Sequence, residues 1–111
     1  MANREIRFYK HYFNEFFYAQ NEQTRRKIAQ TLVWLRTIDR LPISILKSIE
    51  GRKGLYEIRI EMGNNIFRIF CCFDKGNLVI LFNGFQKKTQ KTPVKELDKA
   101  EKLMNEYFND K

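Results

Sequence analysis

Three strand-like runs separated by tight-turn signals restrict the fold of this chain most strongly. The runs are Leu55–Met62, Ile66–Phe73 and Leu78–Phe85, and the turn signals between them are Gly63–Asn64 and Lys75–Gly76. Turn pairs of this kind favour two-residue hairpins, so that consecutive runs pair as antiparallel strands. The third run is apolar on both faces, as is typical of a central strand. The sequence therefore predicts a three-stranded antiparallel meander.

Helical patterns flank this meander on both sides. A short strand is predicted over Arg4–Lys10, and Asn21 is a candidate cap between two helices that follow it. The last helix is expected to begin with Thr92 as its N-cap and Pro93 as its first residue. The residues at helical spacing that we expect in the core are Phe13, Phe16, Phe17, Ile28, Leu32, Leu35, Leu97, Ala100, Met104 and Phe108.

The predicted fold class is therefore α+β in a single domain over residues 1–111. The expected order is an N-terminal strand, two helices, the meander in a small, mainly antiparallel sheet, and a C-terminal helix. The segment 43–53, between the second helix and the meander, is expected to be a connector without a strand of its own.

A net charge of +8 narrows the range of partners. Such a basic balance favours nucleic acid, an anionic membrane surface or an acidic protein. No apolar run approaches the roughly 18 residues of a membrane span, and the first ten residues lack the apolar segment of a signal peptide. We therefore expect a cytoplasmic protein without a membrane partner.

The two cysteines, Cys71 and Cys72, are adjacent in the second run. On a strand they would point to opposite faces, which disfavours a disulfide between them. One histidine and two thiols do not supply a plausible zinc site, so we expect core packing for the cysteines and no metal or cofactor.

Two arginines, Arg59 and Arg68, stand on the polar faces of the first two runs. An arginine beside a sheet core is costly unless an anion or a carboxylate is close. A Gly63–Asn64 turn would put Arg59 directly opposite Arg68, which is destabilising without an anion. An Asn64–Asn65 turn would put Glu61 opposite Arg68 as an ordinary ion pair. Both registers are open at this point, although the glycine slightly favours the first.

Basic side chains extend this polar face at both ends. A two-residue turn at Lys75–Gly76 would bring Asn83 beside Arg68, and the face would continue into the loop from Gln86 to Lys91. The groove expected from this arrangement is lined by Lys47 or Lys53, Arg59, Arg68, Asn83, Lys87 and Lys88. Arginine forks match phosphate oxygens, and an amine among other cations can transfer a proton near neutral pH. The pattern suits phosphodiester cleavage by an internal 2′-hydroxyl, although a solvated charged face has the same composition.

Three segments carry a resemblance to a known family. They are Leu-Tyr-Glu-Ile-Arg at 55–59, Phe-Arg-Ile at 67–69 and Gly-Phe-Gln-Lys-Lys-Thr-Gln-Lys-Thr-Pro at 84–93. The chain resembles the HigB-like branch of the RelE/ParE toxin superfamily from about residue 13 to residue 104. The resemblance implies a RelE-like fold whose helices pack on one face of the sheet. It also implies the toxin of a type II toxin–antitoxin system that cleaves mRNA on the ribosome.

The resemblance further implies partners and roles. The partners would be a cognate helix-turn-helix antitoxin, the ribosome through its RNA, and mRNA. The implied catalytic residues are Arg59, Arg68, Lys87 and Lys88. The candidate RNA-binding residues are Lys47, Lys53, Asn83, Phe85, Gln86 and Lys91.

One departure keeps other functions open. Many relatives carry a histidine before the Gly-Phe pair, where this chain has Asn83, and an amide cannot transfer a proton at neutral pH. The general acid and base are therefore not identified by the resemblance. The alternatives are a ParE-like inhibitor of DNA gyrase and a non-catalytic relative that binds an antitoxin.

Overall fold

The computed structural model describes residues 2–111, and Met1 lies outside the described part. The α+β order expected from the sequence is confirmed, with one additional strand. The strands are β1 (Glu5–Phe8), β2 (Leu46–Ser48), β3 (Tyr56–Met62), β4 (Asn65–Asp74) and β5 (Leu78–Lys87). The helices are α1 (Tyr12–Tyr18), α2 (Glu22–Thr37) and α3 (Val94–Asn109).

All five strands form one sheet in the order β1-β5-β4-β3-β2. The β3–β4–β5 meander is antiparallel, as predicted, and β1 joins β5 in parallel. The additional strand β2 lies in the segment expected to be a plain connector, where Leu46 pairs with Ile58. Three residues are too few to show an alternating pattern, which is why the sequence did not reveal β2.

Helices cover both faces of the sheet, so the expectation that they pack on one face is wrong. Residues of α1 and α2 pack with Ile69 and Cys71 of β4, whereas residues of α3 pack with Phe70 and Cys72. Consecutive residues of a strand point to opposite faces. Because β4 and β5 are apolar on both faces, each face needs a cover, and α3 supplies the second one.

The expected helix ends and core residues are partly confirmed. Asn21 caps α2, because its side-chain oxygen accepts a hydrogen bond from the Thr24 N–H at 2.8 Å. The start predicted for α3 is wrong by one residue, since Pro93 has an extended backbone and caps the helix itself. Phe108 is 43% exposed and not in the core. Tyr107 takes the position towards the sheet, where its hydroxyl donates to Asp74 at 2.7 Å.

The β3–β4 register follows the first of the two alternatives. Met62 pairs with Asn65, so the turn residues are Gly63 and Asn64, and Arg59 lies opposite Arg68. Gly63 has a φ of +61°, a conformation that glycine adopts without a steric penalty.

The β4–β5 register differs from the prediction for two reasons, a longer turn and a bulge. Asp74 pairs with Leu78, so the turn contains three residues, 75–77, and the two-residue turn predicted at Lys75–Gly76 is wrong. Further along, Phe82 and Asn83 both stand opposite the single residue Phe70. As a result Phe85, and not Asn83, lies opposite Arg68. Neither the third turn residue nor a bulge in an apolar run has a reliable sequence signal, so the predicted position of Asn83 beside Arg68 is wrong.

The cysteines are buried free thiols, as predicted, and they belong to the two opposite cores. Burial, followed by the nearby charge of Asp74, raises the pKa of Cys72 to about 12. Both thiols therefore act as small apolar groups. Within residues 2–111, no helix has the length and apolarity that crossing a membrane requires.

We predict that Gly84→Ala destabilises the fold through a steric clash. A Cβ on Gly84 would come within 2.6 Å of the Phe16 ring. Overpacking of this kind costs about 1–3 kcal/mol, which urea denaturation can measure. A double mutant that also carries Phe16→Leu is the control, because a smaller side chain should relieve the Gly84→Ala penalty. Additive effects of the two substitutions would contradict this account.

We also predict that Asp74 makes the fold sensitive to acid. Hydrogen bonds from Lys111 and then from Tyr107 hold the pKa of Asp74 below its ordinary value. A carboxyl group with a depressed folded-state pKa stabilises the fold above its unfolded pKa of about 3.9, and that contribution is lost as pH falls through the folded value. The difference in urea midpoint between the wild type and Asp74→Asn should therefore shrink on going from pH 6 to about pH 3.

Lys111→Ala is the companion variant for this titration. Because it removes one of the two donors, it should reduce the pH-dependent part of the difference. If the urea midpoints of the wild type and of Asp74→Asn differ by the same amount at both pH values, Asp74 is not a source of the acid sensitivity.

Candidate functional site

The centre of the site is a pair of arginines bridged by one carboxylate. Arg59 of β3 lies opposite Arg68 of β4, and the Nε of each is 3.2 Å from the same oxygen of Glu57. Like charges in this position repel unless an anion lies between them. The carboxylate that the buried arginines require is therefore Glu57, two residues before Arg59 on the same face of β3.

The two arginines differ in exposure. Arg68 is 2% exposed, and its Nη1 donates to the carbonyl oxygen of Phe67 at 3.0 Å. Burial, followed by the charge of Arg59, lowers the pKa of Arg68, while Glu57 opposes this shift. Arg59 has 28% of its side chain exposed. Arg59 is therefore the member of the pair that an external anion can reach.

Hydrogen-bonding capacity remains at this pair. Within residues 2–111, neither arginine Nε has a hydrogen-bond partner, because the contacts with Glu57 are ion pairs without hydrogen-bond alignment. Buried donors without a partner are uncommon in proteins and call for an explanation. Both Nε atoms are themselves buried, so an external anion can meet only the exposed part of the Arg59 side chain.

Four of the predicted site residues share a sheet face with Arg59. Across the strands, Lys47 stands opposite Glu57, Phe85 stands opposite Arg68, and Lys87 stands opposite Ile66. Residues directly opposite each other point to the same face. The structure thus brings together Lys47, Arg59, Arg68, Phe85 and Lys87 on the face that α3 partly covers.

Phe85 and the basic loop after β5 complete this surface. Phe85 is half-buried and stacks on Phe70 with 5.6 Å between the ring centroids. Lys87 and Lys88 line an open cavity of about 410 Å³ where β4 begins and β5 ends. Lys91 is exposed in the same loop. Lys87 thus adds positive charge on the sheet face of the arginine pair, whereas within residues 2–111 no contact ties Lys88 or Lys91 to the pair.

Three predicted site residues are not brought to this surface. Asn83 is buried under α3, and its amide nitrogen donates to Glu96 at 3.2 Å. Gln86 stands opposite Phe67 on the other face and donates to Asn65 at 3.1 Å. Lys53 is exposed in the β2–β3 loop, and within residues 2–111 no contact ties its side chain to the arginine pair.

Sequence reasoning missed Glu57, although a signal for it existed. Its position two residues before Arg59 places both side chains on one strand face, where they contact each other. Within residues 2–111, no group of three histidine, cysteine or acidic side chains is arranged to hold a metal ion.

A larger cavity, of about 570 Å³, lies elsewhere. It is bounded by β1 and α2 and includes Arg4, Phe8, Leu32 and Arg36 in its walls. Two strands, β5 and β4, separate β1 from the strand that carries Arg59. This cavity is therefore not part of the arginine site.

The five-stranded sheet with its α1–α2 layer and covering C-terminal helix forms a RelE-like fold. The fold matches the "Crystal structure of archaeal RelE-RelB complex from Pyrococcus horikoshii OT3" with a TM-score of 0.53 and 14% sequence identity. The match covers 83% of this chain and 100% of that one, and at this identity it shows the fold alone.

The family is shown by the sequence itself. The family model "Phage derived protein Gp49-like (DUF891)" matches residues 15–105, so this chain belongs to that family, which is of the RelE/HigB toxin type. A search of curated proteins found no match.

We predict that Glu57→Gln destabilises the fold because two guanidinium groups lose their shared counter-charge. Breaking a buried ion pair costs about 3–5 kcal/mol, and partial exposure of Arg59 reduces this to about 2 kcal/mol. Urea denaturation at pH 7 measures the loss.

Glu61→Gln is the matched control, because Glu61 lies on the same strand and face but is exposed. It should change the free energy of unfolding by no more than about 0.5 kcal/mol. Inorganic phosphate should restore part of the stability of Glu57→Gln by replacing the lost anion. Equal stability of the two variants would contradict the bridging role of Glu57.

Proposed function

We propose that this protein is the toxin of a type II toxin–antitoxin system and that it inhibits translation by cleaving mRNA on the ribosome. The observation that carries the proposal is the pair Arg59 and Arg68, held together by Glu57 and with 28% of the Arg59 side chain exposed. The family membership and the RelE-like fold support the toxin class. The net charge of +8 suits binding to RNA, which should weaken steeply with added salt.

In the proposed reaction the 2′-hydroxyl of the substrate attacks the adjacent phosphorus. A bond forms between the 2′-oxygen and phosphorus, and the bond from phosphorus to the 5′-oxygen breaks, which leaves a 2′,3′-cyclic phosphate. One group takes the 2′ proton, and another gives a proton to the leaving 5′-oxygen. Arg59 stabilises the charge that develops on the phosphate oxygens, because donors fixed in place need no reorganisation.

The other residues have supporting roles in this proposal. Arg68 is buried, so it adds positive potential and holds Glu57 in place behind Arg59. Lys87 and Lys47, on the same sheet face as the pair, and Lys88, which follows Lys87, are candidates for proton transfer. Asn83 is excluded from this role by its place under α3.

The proposed partners are RNA and a protein. The similar solved structure is a complex of RelE with RelB, which supports the proposal that this chain also binds an antitoxin, of the helix-turn-helix type. The ribosome and its bound message are the proposed target.

One observation favours a second candidate function, that of a non-catalytic relative that only binds an antitoxin. Within residues 2–111 no histidine is present near the arginine pair, since the sole histidine is His11 at the start of α1.

We predict that Arg59→Ala lowers the rate of message cleavage on programmed ribosomes by at least about 100-fold, the effect of losing one fixed donor to a developing oxyanion. Arg59→Lys should recover only a small part, because lysine keeps the charge but loses the fork. Primer extension on a defined message, with and without ribosomes, measures the cuts.

The matched control is Arg26→Ala, which removes the same charge from an exposed position on α2, where Arg26 pairs with Glu22. Its cleavage rate should equal that of the wild type. Toxicity in cells without any cleavage would favour a gyrase-type protein target. Neither toxicity nor cleavage would favour the non-catalytic relative.

A further inference from the structure

A small cavity beside Arg59 has no role in the reaction described so far. Its volume is about 230 Å³, and its walls include Lys27 and Trp34 of α2, Ser44, and Arg59 and Glu61 of β3. Cavities for drug-sized ligands are larger, at about 300–1,000 Å³. The size therefore suits one ring system with the groups attached to it.

The cavity lies where the edge of β3 is open. Strand β2 pairs with β3 only as far as Ile58, and the Arg59 N–H then donates to the carbonyl oxygen of Ile45 at 2.7 Å. In an antiparallel strand every second N–H points to the same side. The N–H of Glu61 therefore points to this open edge, where residues 2–111 offer it no backbone partner. A ligand in the cavity meets a free backbone donor.

The chemistry of the walls fits a nucleotide. Trp34 is half-buried, and the Nζ of Lys27 lies 5.1 Å from the centroid of its ring. An indole offers a stacking surface for any base, and neighbouring cations attract the attached phosphate. The Ser44 hydroxyl and the Glu61 carboxylate can pair with groups on the edge of a base.

Arg59 connects this cavity to the arginine site. Residue Arg59 lines the cavity, and its side chain forms the ion pair with Glu57. The cavity and the arginine site thus share one residue.

We propose that this cavity binds the base of an RNA nucleotide that adjoins the scissile phosphate, with Trp34 as the stacking surface. The inference rests on the proposed function, because it concerns the RNA substrate of the same site. It assigns Trp34, Lys27 and Glu61 to substrate binding and not to the chemical step.

Trp34 is the sole tryptophan, so its fluorescence reports on this cavity alone. The probe is an RNA trinucleotide with 2′-O-methyl groups, which cannot be cleaved by the proposed route. We expect a saturable change in fluorescence, with an affinity that falls about tenfold in Lys27→Ala and in Arg59→Ala. Lys102→Ala is the matched control, since it removes the same charge from an exposed position on α3 and should bind like the wild type.

A cleavage assay gives an independent readout. Trp34→Leu should lower cleavage of the programmed message about tenfold through a raised KM, whereas Trp34→Phe keeps an aromatic surface and should retain most of the activity. Circular dichroism and thermal denaturation establish that both variants are folded. The tyrosine fluorescence of these variants should not respond to the trinucleotide as Trp34 does.

Each outcome bears on the proposal. No fluorescence change at RNA concentrations that saturate cleavage would overturn it while the proposed function stands. An equal response to inorganic phosphate alone would also overturn it, because the cavity would then bind only an ion. A saturable response to RNA without ribosomal cleavage would support the nucleotide cavity and count against the proposed reaction.

Discussion

The Glu57 carboxylate between Arg59 and Arg68 is the interaction on which the site depends. A charged guanidinium that is 2% exposed, as in Arg68, is tolerated in a sheet only with a counter-charge in contact. The register of β3 and β4 places a second arginine directly opposite, which would add repulsion. One carboxylate 3.2 Å from both Nε atoms offsets both effects. It leaves a net positive pair whose outer member, Arg59, faces the solvent.

The bulge in β5 decides what surrounds this pair. Because Phe82 and Asn83 stand opposite one residue of β4, Asn83 turns to α3 and donates to Glu96. Phe85 then takes the place beside Arg68 and stacks on Phe70. The sheet face that carries Arg59 and Arg68 thus has an apolar part covered by α3 and a polar part that is exposed. A side chain at position 83 therefore belongs to the part that α3 covers.

Much of the fold follows from local sequence signals, and the differences have physical causes. The turn residues Gly63–Asn64 and the alternation of apolar residues predict the meander and its faces. A three-residue strand such as β2 gives no periodic signal, and a bulge inside an apolar run gives none either. The second covering helix could have been inferred from the same apolar β4 and β5 runs. The resemblance implied that the helices pack on one face of the sheet. Two apolar faces of β4 and β5, however, each require a covering helix.

The site residues that could be predicted are those whose pattern is visible within one strand. Arg59 and Arg68 were predicted as site residues because charged residues interrupt the apolar pattern of their strands. Glu57 was overlooked because a glutamate on the polar face of a strand is common and is usually exposed. The place of Trp34 in the cavity was not predictable, because its position on a helix says nothing about the open edge of β3 beside it. Contacts between elements distant in the sequence, such as α2 and β3, cannot be read from periodicity.

The arrangement of these groups also bears on how RNA would cross the protein. Lys87 on β5, Arg68 on β4 and Arg59 on β3 follow one another across neighbouring strands, and the Trp34 cavity opens at the next edge. Neighbouring strands lie about 4.8 Å apart, so the path from β5 to β3 is about 10 Å long. A path of that length holds one or two nucleotides. Arg59 lies at the β3 end of this path, between the basic loop and the cavity. Since fold alone does not determine function, it is this placement of charge and aromatic surface, more than the shared RelE-like architecture, that favours an RNA substrate.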